Sequence, residues 1–156
     1  MARYVTLSAV GALPPTVDTT TDASDVVDTM TRHLVAQVEQ VLPDEPDLIV
    51  LPEVCDLPAN FDLTSEATLV TYLGARGERV LRVLAQLARD HHCYITYPAA
   101  RRLPDGTWRN SIQLIDRHGD VAGVYDKHHP TIGENEAGIR SGACPVIAEC
   151  DFGRVG

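Results

Sequence analysis

The chain has 156 residues, enough for one domain with a hydrophobic core or for half of a larger domain. Its 44% of hydrophobic and 22% of charged residues are typical of a globular protein and exclude a disordered or fibrous chain. The formal net charge of -9, with 13 scattered basic residues, argues against nucleic acid as a partner, because binding phosphates requires clustered Lys and Arg.

The chain also lacks the sequence signals of a membrane or secreted protein. No apolar run approaches the roughly 20 residues that span a bilayer, and no basic stretch precedes a long apolar one at the N-terminus. We therefore expect a cytoplasmic protein. The four cysteines are widely spaced, and we expect a free, buried thiol at each of them: Cys55, Cys93, Cys144 and Cys150.

The first predicted elements follow a β-α-β pattern. Residues 4–10 alternate between polar and apolar and predict a strand. A polar linker then leads to a predicted helix over residues 26–42, whose apolar residues recur at every fourth position and whose start Asp22 or Ser24 can cap. The continuous apolar run 48–51 is too short for a helix and predicts a strand buried on both faces.

The same pattern then repeats. After a loop through Asn60, apolar positions over residues 80–88 predict a second helix, and residues 93–97 predict the next strand. Because helices connect these strands, the first part of the sheet is expected to be parallel.

The last part of the chain predicts antiparallel strands. Residues 111–115 and 121–125 flank a turn-rich connector of the kind that closes a hairpin, so we expect a mixed sheet. Residues 146–150 predict one more strand, and a further strand begins at Val155. The fold class predicted is therefore α/β, with a mixed β-sheet and helices.

Glu53 is the first candidate for chemistry. It follows Pro52 at the carboxyl end of the most hydrophobic predicted strand, the edge where open α/β sheets bind their ligands. Desolvation there would raise its pKa toward neutrality, as a general base working near neutral pH requires. The alternative is a carboxylate that simply faces solvent, and this residue alone leaves both open.

Lys127 ends a predicted strand in the same way. Near a carboxylate, its ammonium could stabilise the oxyanion that forms during attack on a carbonyl or nitrile, although most lysines are solvated at the surface. Glu134 or Glu136, just beyond it, could supply a second carboxylate that orients Lys127 or a substrate amine. Acidic residues in a glycine-containing loop are more often simply solvated.

Two His-His pairs and a neighbouring cysteine raise the question of a zinc site. Neighbouring residues point in different directions, and partners at metal-binding spacing are absent, so the sequence does not favour zinc. His91 and His92 are instead expected at a helix end, where a cation interacts favourably with the helix dipole. The other pair, His128 and His129, follows Lys127 directly.

A carboxylate beside an ammonium could also activate a cysteine nucleophile. Cys55 lies two residues from Glu53, and Cys150 lies in a predicted strand. Neither is at a tight strand-to-helix turn, where a nucleophile is typically exposed. The residues alone therefore identify no nucleophile.

Three segments together resemble the nitrilase superfamily of carbon–nitrogen hydrolases. They are Asp47–Glu53 (DLIVLPE), the Arg109-Asn110-Ser111 stretch with its hairpin, and Tyr125–Pro130 (YDKHHP). Their order and spacing match the family, and the resemblance extends to residues 152–156 (FGRVG), which look like the lead-in to the family's nucleophile strand.

The resemblance implies a four-layer α-β-β-α sandwich, of which residues 1–156 would form the N-terminal half, and a Glu-Lys-Cys triad. It implies Glu53 as general base, Lys127 as the oxyanion-stabilising cation and Glu134 as an accessory carboxylate, with Glu136 as the runner-up. No cysteine here matches the family's nucleophile, which would follow Gly156. We therefore expect residues 1–156 alone to be inactive.

The implied function is hydrolysis of a non-peptide carbon–nitrogen bond in a small amide or N-carbamoyl substrate, without metal or organic cofactor. An alternative within the family is a nitrilase acting on a nitrile. An alternative of another class is a truncated, non-catalytic relative that serves as a binding or assembly module. The family resemblance also implies a homo-oligomer. The composition and charge described above argue against nucleic acid or membrane as partner.

Overall fold

The computed structural model describes residues 4–11, 13–62 and 65–156. Helices and strands alternate in its first part, and strands dominate the second. The elements in chain order are β1 (Leu7–Ala9), α1 (Ala23–Val41), a one-turn 3-10 helix (Leu42–Asp44), β2 (Leu48–Val50), α2 (Glu66–Arg76), α3 (Arg79–His91), β3 (Tyr94–Arg102), β4 (Trp108–Ile115), β5 (Val121–Asp126), α4 (Ile132–Glu136), β6 (Ala148–Cys150) and β7 (Gly153–Val155).

The main sheet has the strand order β1-β2-β3-β4-β5. The pairs β1–β2 and β2–β3 are parallel, as their helical connections require, whereas β3–β4 and β4–β5 are antiparallel. The predicted mixed sheet and its hairpin are confirmed. Parallel pairing brings the carboxyl ends of β1, β2 and β3 to one edge of the sheet. Glu53 lies at this edge, in the turn after β2.

The hydrophobic core lies between α1, α2, α3 and one face of the sheet. The predicted apolar stripe of α1 is confirmed, because Val27, Met30 and Val38 are fully buried, and Asp22 caps the helix by accepting from the Ser24 backbone N–H at 2.8 Å. From the sheet, Ile49 and Ile95 enter the same core.

The opposite face of the sheet is covered only in part. Its side chains Leu48, Tyr94 and Leu114 form a second cluster with Ala148, against which Phe152 and Val155 pack. The antiparallel β6–β7 hairpin thus begins a further layer. Val50 is 38% exposed, so the prediction that this strand is buried on both faces was wrong: the hairpin covers the Leu48 end of β2 and leaves Val50 open.

The sequence prediction missed α2 and α4. The buried face of α2 contains Leu69 and Leu73 but also Tyr72 and Arg76, and these polar-tipped residues obscure an apolar stripe. In α4, Thr131 and Glu134 form a capping box that starts a single short turn of helix where a loop was expected. Within the described ranges, no helix is long and apolar enough to cross a membrane.

Candidate active site

Glu53 lies in the turn after β2, at the carboxyl edge of the parallel strands. The strand is fixed to its neighbour up to this point, since the Leu51 backbone N–H donates to Thr96 Oγ1 at 3.1 Å. The Glu53 side chain is 59% exposed, so the expected desolvation of this carboxylate is absent. The carboxylate extends over the edge of the sheet and does not enter the core.

Lys127 follows β5 directly and reaches the same edge. Its backbone N–H donates to the Asn110 carbonyl at 2.8 Å, which extends the β4–β5 pairing by one residue. The Lys127 ammonium contacts Glu53 Oε1 at 2.7 Å and Glu134 Oε2 at 3.0 Å. The structure therefore brings the three sequence candidates Glu53, Lys127 and Glu134 together across 74 and 7 residues of chain.

Glu134 is held in place by the capping box at the start of α4. Its Oε2 accepts from the Thr131 backbone N–H at 2.6 Å. Burial raises the pKa of Glu134, but hydrogen bonds from Thr131, the Asn110 amide and the Lys127 ammonium outweigh burial and lower it to about 2. Glu136, the runner-up in the sequence prediction, is exposed on the same helix.

Asn110 is the residue of this cluster to which the sequence assigned no role. It is 6% exposed, and its amide nitrogen donates to Glu53 Oε1 and to Glu134 Oε1, both at 2.6 Å. One amide thus links the two carboxylates that flank Lys127. The available signal was the asparagine next to the predicted hairpin strand. Asparagine is depleted in strands, and a buried amide requires hydrogen-bond partners.

The cluster keeps Lys127 charged. Burial lowers the pKa of Lys127, but its hydrogen bonds to Glu53 and Glu134 and the two negative charges outweigh burial, so the pKa lies above its ordinary value. Lys127 therefore stays protonated, and positively charged, at physiological pH. An ammonium held between carboxylates suits the stabilisation of a developing negative charge and does not suit proton abstraction.

The segment after α4 folds back onto Lys127. The Gly142 backbone N–H donates to the Lys127 carbonyl at 2.9 Å, and the Gly142 carbonyl contacts His128 Nδ1 at 2.9 Å. A side chain at position 142 would overlap the Asp126 carbonyl, so glycine is required for this approach. Both the N–H and the carbonyl of Lys127 are therefore hydrogen-bonded to neighbouring backbone.

The histidines do not contribute a metal site within the described ranges, where no group of three or more His, Cys, Asp or Glu side chains is arranged to hold an ion. His91 ends α3 and His92 caps it, as predicted. His128 and His129 stack edge to face, with ring centroids 4.5 Å apart.

The cysteines differ in their environments. Cys55 and Cys93 are buried, as predicted, but Cys144 is exposed because it lies in a loop before β6, and Cys150 is only partly buried. Burial, reinforced by the Asp56 charge, raises the pKa of the Cys55 thiol well above its ordinary value. Burial also raises the pKa of Cys93 and, together with the Asp151 carboxylate, that of Cys150. A raised pKa makes a thiol a poor nucleophile.

Among the residues that the structure describes, the arrangement has the parts of a site for acyl transfer except its nucleophile. Glu53 offers a carboxylate that can accept or donate a proton at the solvent side, and Lys127 offers a fixed positive charge 2.7 Å away. Glu134 and Asn110 hold this pair in place. Such a site can promote attack on a carbonyl or nitrile carbon by a nucleophile delivered from a neighbouring segment.

The family model of carbon-nitrogen hydrolases matches residues 6–156. Among curated protein sequences, none matches this chain significantly.

Solved structures share the fold at low identity. A carbon-nitrogen hydrolase from Helicobacter pylori G27 is 19% identical with a TM-score of 0.66, over 89% of this chain and 45% of its own. A glutamine-dependent NAD+ synthetase from Acinetobacter baumannii is 18% identical with a TM-score of 0.74, over 96% of this chain and 26% of its own. An amidase from Nesterenkonia sp. is 14% identical with a TM-score of 0.68, over 99% of this chain and 54% of its own.

The chain thus spans about half or less of the length of these solved structures. The predicted fold class, a mixed α/β sheet with helices, is confirmed by the likeness. With a family model that matches nearly all of its residues, the chain belongs to the carbon–nitrogen hydrolase family, the nitrilase superfamily indicated by its motifs.

Proposed function

We propose that the protein hydrolyses a carbon–nitrogen bond of a small amide or N-carbamoyl compound, with Glu53 as general base and Lys127 as the oxyanion-stabilising cation. The observation that carries this proposal is the Lys127 ammonium between Glu53 and Glu134, at 2.7 Å and 3.0 Å, on the carboxyl edge of the sheet. The reaction requires a fixed cation and a proton acceptor side by side, and this pair supplies both.

In the proposed reaction a cysteine thiol passes its proton to Glu53 as its sulfur bonds to the substrate carbon. The carbonyl electron pair moves onto oxygen, where Lys127 stabilises the negative charge. Collapse of this intermediate breaks the carbon–nitrogen bond, and the nitrogen leaves as ammonia or amine with the proton from Glu53. Water, whose proton Glu53 accepts, then attacks the thioester, releases the acid and restores the thiol.

The nucleophile is proposed to lie beyond Gly156, where the family resemblance puts it. The raised pKa values of Cys55, Cys93 and Cys150 support this proposal, because thiols that stay protonated react slowly. Glu134 and Asn110 are proposed to hold Lys127 and Glu53 in register. Homo-oligomerisation stays a prediction from the family resemblance.

The proposal is tested with the intact protein expressed from its natural reading frame. Ammonia release is measured from a panel of simple amides, N-carbamoyl amino acids and nitriles, which also separates the nitrilase alternative. Glu53→Gln and Lys127→Met are each expected to lower kcat by at least about 100-fold, because proton transfer and oxyanion stabilisation each contribute on this scale. Glu136→Gln serves as the matched control and is expected to retain activity, because Glu136 is an exposed acidic residue on the same helix as Glu134.

Two results would contradict the proposal. One is full activity of Glu53→Gln. The other is amide hydrolysis by residues 1–156 alone that Cys150→Ala abolishes, which would show that the nucleophile is Cys150.

A non-catalytic role is the second candidate, favoured by the open sheet face. Val50 and Ile112 are 38% and 39% exposed, and Ile147 is 65% exposed, so apolar surface is available for a partner. Absence of any turnover by the intact protein over the whole panel, together with a stable complex with another chain, would support this candidate over the hydrolase.

A further inference from the structure

The turn that carries Glu53 has a strained backbone. Val54, the next residue, has φ of 46°, in the left-handed region that β-branched residues rarely adopt. Such a conformation costs about 1–3 kcal/mol and persists only where surrounding contacts determine it. The contacts that hold this turn therefore also determine where the exposed Glu53 carboxylate lies.

Several of those contacts are made by Asp56, whose side chain is fully buried. Its Oδ2 accepts from Arg76 Nη1 at 2.7 Å and from the Tyr97 hydroxyl at 2.8 Å. Its backbone carbonyl accepts from the Tyr72 hydroxyl. Asp56, three positions after Glu53, thus joins the turn to α2 and to β3, where the Cys55 backbone N–H also donates to the Pro98 carbonyl at 3.3 Å.

Arg76 extends this link to the other side of the site. Its second terminal nitrogen donates to the Ala100 carbonyl on β3 at 2.6 Å, and Ala100 is the register partner of Asn110 on β4. Asn110 in turn donates to Glu53 Oε1 at 2.6 Å. Arg76 therefore contacts both the turn that bears Glu53 and the strand position that flanks its amide partner.

Stability alone does not account for a buried charge pair at this place. Bringing two charges out of water costs as much as their attraction returns, and apolar replacements of such pairs are often equally stable or more stable. Moreover, Asp56 Oδ1 and Arg76 Nε find no hydrogen-bond partner among the described residues. What the pair does supply is a fixed direction for the turn, since Arg76 donates to the turn and to β3 at once.

We infer that Arg76, through Asp56, is a positioning residue that holds Glu53 against Lys127. This inference rests on the proposed function, in which Glu53 is the general base. Arg76 does not touch the reacting groups, and its effect passes through the backbone of residues 53–56.

The test compares Arg76→Met with Arg117→Met in the intact protein, by steady-state amide hydrolysis and thermal unfolding. Arg117 is a matched control, because it also pairs with carboxylates, Asp47 at 2.5 Å and Asp151 at 3.0 Å. Asp47 precedes β2, at the end of the strand opposite Glu53, and Asp151 lies in the β6–β7 turn. Displacing a catalytic group by about 1 Å costs up to about 100-fold, so Arg76→Met is expected to lower kcat about 10- to 100-fold, with KM changed less than about threefold. Arg117→Met, compared at an equal loss of Tm, is expected to retain kcat within about threefold, since its contacts are remote from the reacting groups.

A milder pair of variants covers the case in which Arg76→Met does not fold. Tyr97→Phe removes only the hydroxyl that donates to Asp56, and Tyr94→Phe removes a hydroxyl that accepts from the Asp151 backbone at 3.3 Å. Tyr97→Phe is expected to lower kcat several-fold and Tyr94→Phe to leave it unchanged.

Equal losses of kcat in Arg76→Met and Arg117→Met at matched Tm would overturn the positioning role. A crystal structure of the Arg76 variant gives a readout independent of turnover: the distance from Glu53 Oε1 to Lys127 Nζ is expected to exceed its present 2.7 Å by at least about 1 Å. An unchanged distance would also overturn the inference. If the proposed function is wrong, Glu53→Gln retains activity. The crystallographic distance still decides the role of Arg76 in that case.

Discussion

Replacing Glu134 by Gln removes one charge from the site while it leaves the local helix intact. Gln can fill the same position of a capping box, so the hydrogen bonds with Thr131 are retained. The lost interactions are those of the Glu134 carboxylate with the Lys127 ammonium at 3.0 Å and with the Asn110 amide nitrogen at 2.6 Å. The variant therefore removes the interactions that depend on the negative charge of Glu134.

The magnitude follows from the pKa of Glu134. A change from its ordinary value of 4.5 to about 2 corresponds to at most about 3 kcal/mol of stability at neutral pH. The Glu134 side chain is 20% exposed, at a site that opens to solvent, and screening reduces this upper limit to about 1–2 kcal/mol. Since the folded pKa is depressed, this stability is present above pH 4.5 and is lost as the pH falls from there toward about 2.

The assay is urea unfolding of the parent protein and Glu134→Gln at a series of pH values from neutral to strongly acidic. The difference in free energy of unfolding between the two proteins is expected to be about 1–2 kcal/mol at neutral pH and to shrink toward zero in acid. Contributions of the other carboxylates cancel, because both proteins contain them.

Glu136→Gln provides the control, since Glu136 is exposed on the same helix and carries the same charge. Its difference from the parent is expected to stay small and constant over the same pH series. A difference for Glu134→Gln that does not change between neutral and acidic pH would refute the electrostatic reasoning, because a loss of packing alone has no such pH dependence.

Two further predictions concern stability. Arg117→Met is expected to cost about 2–3 kcal/mol in urea unfolding, because it leaves the partly buried Asp47 without this cation and removes the contact over the Tyr94 ring. Arg82→Met, at an exposed helical pair, should cost less than about 0.5 kcal/mol, and equal losses for both would contradict the argument. Gly142→Ala is expected to lower Tm, since its Cβ would overlap the Asp126 carbonyl, whereas Gly133→Ala, with open space around it, should not.

The local pattern of the sequence predicted most of the fold. The stripe of α1, the short apolar strand β2 and the β4–β5 hairpin were each visible as a periodicity with its own turn or cap signals. The failures have a physical cause as well. α2 was missed because its buried face includes Tyr72 and Arg76, whose burial depends on the partner Asp56 and not on their own hydrophobicity.

The site was predicted in part. The positions of Glu53 and Lys127 after apolar strands, with the family resemblance, indicated that they would meet, and their contact at 2.7 Å agrees. The family resemblance also favoured Glu134 over Glu136, by its distance from Lys127. The bridging role of Asn110 depended on which side chains β4 turns toward the edge of the sheet. Spacing along the chain does not determine those directions.

The sequence by itself determined the family, the mixed sheet and the edge at which the charged residues collect, because each depends on periodicity or on motif order. Only the tertiary structure decided that Glu53 remains exposed, that Asn110 joins two carboxylates and that Asp56 lies buried against Arg76. These properties are set by the distance and burial of groups 20 to 57 residues apart, which no local pattern encodes.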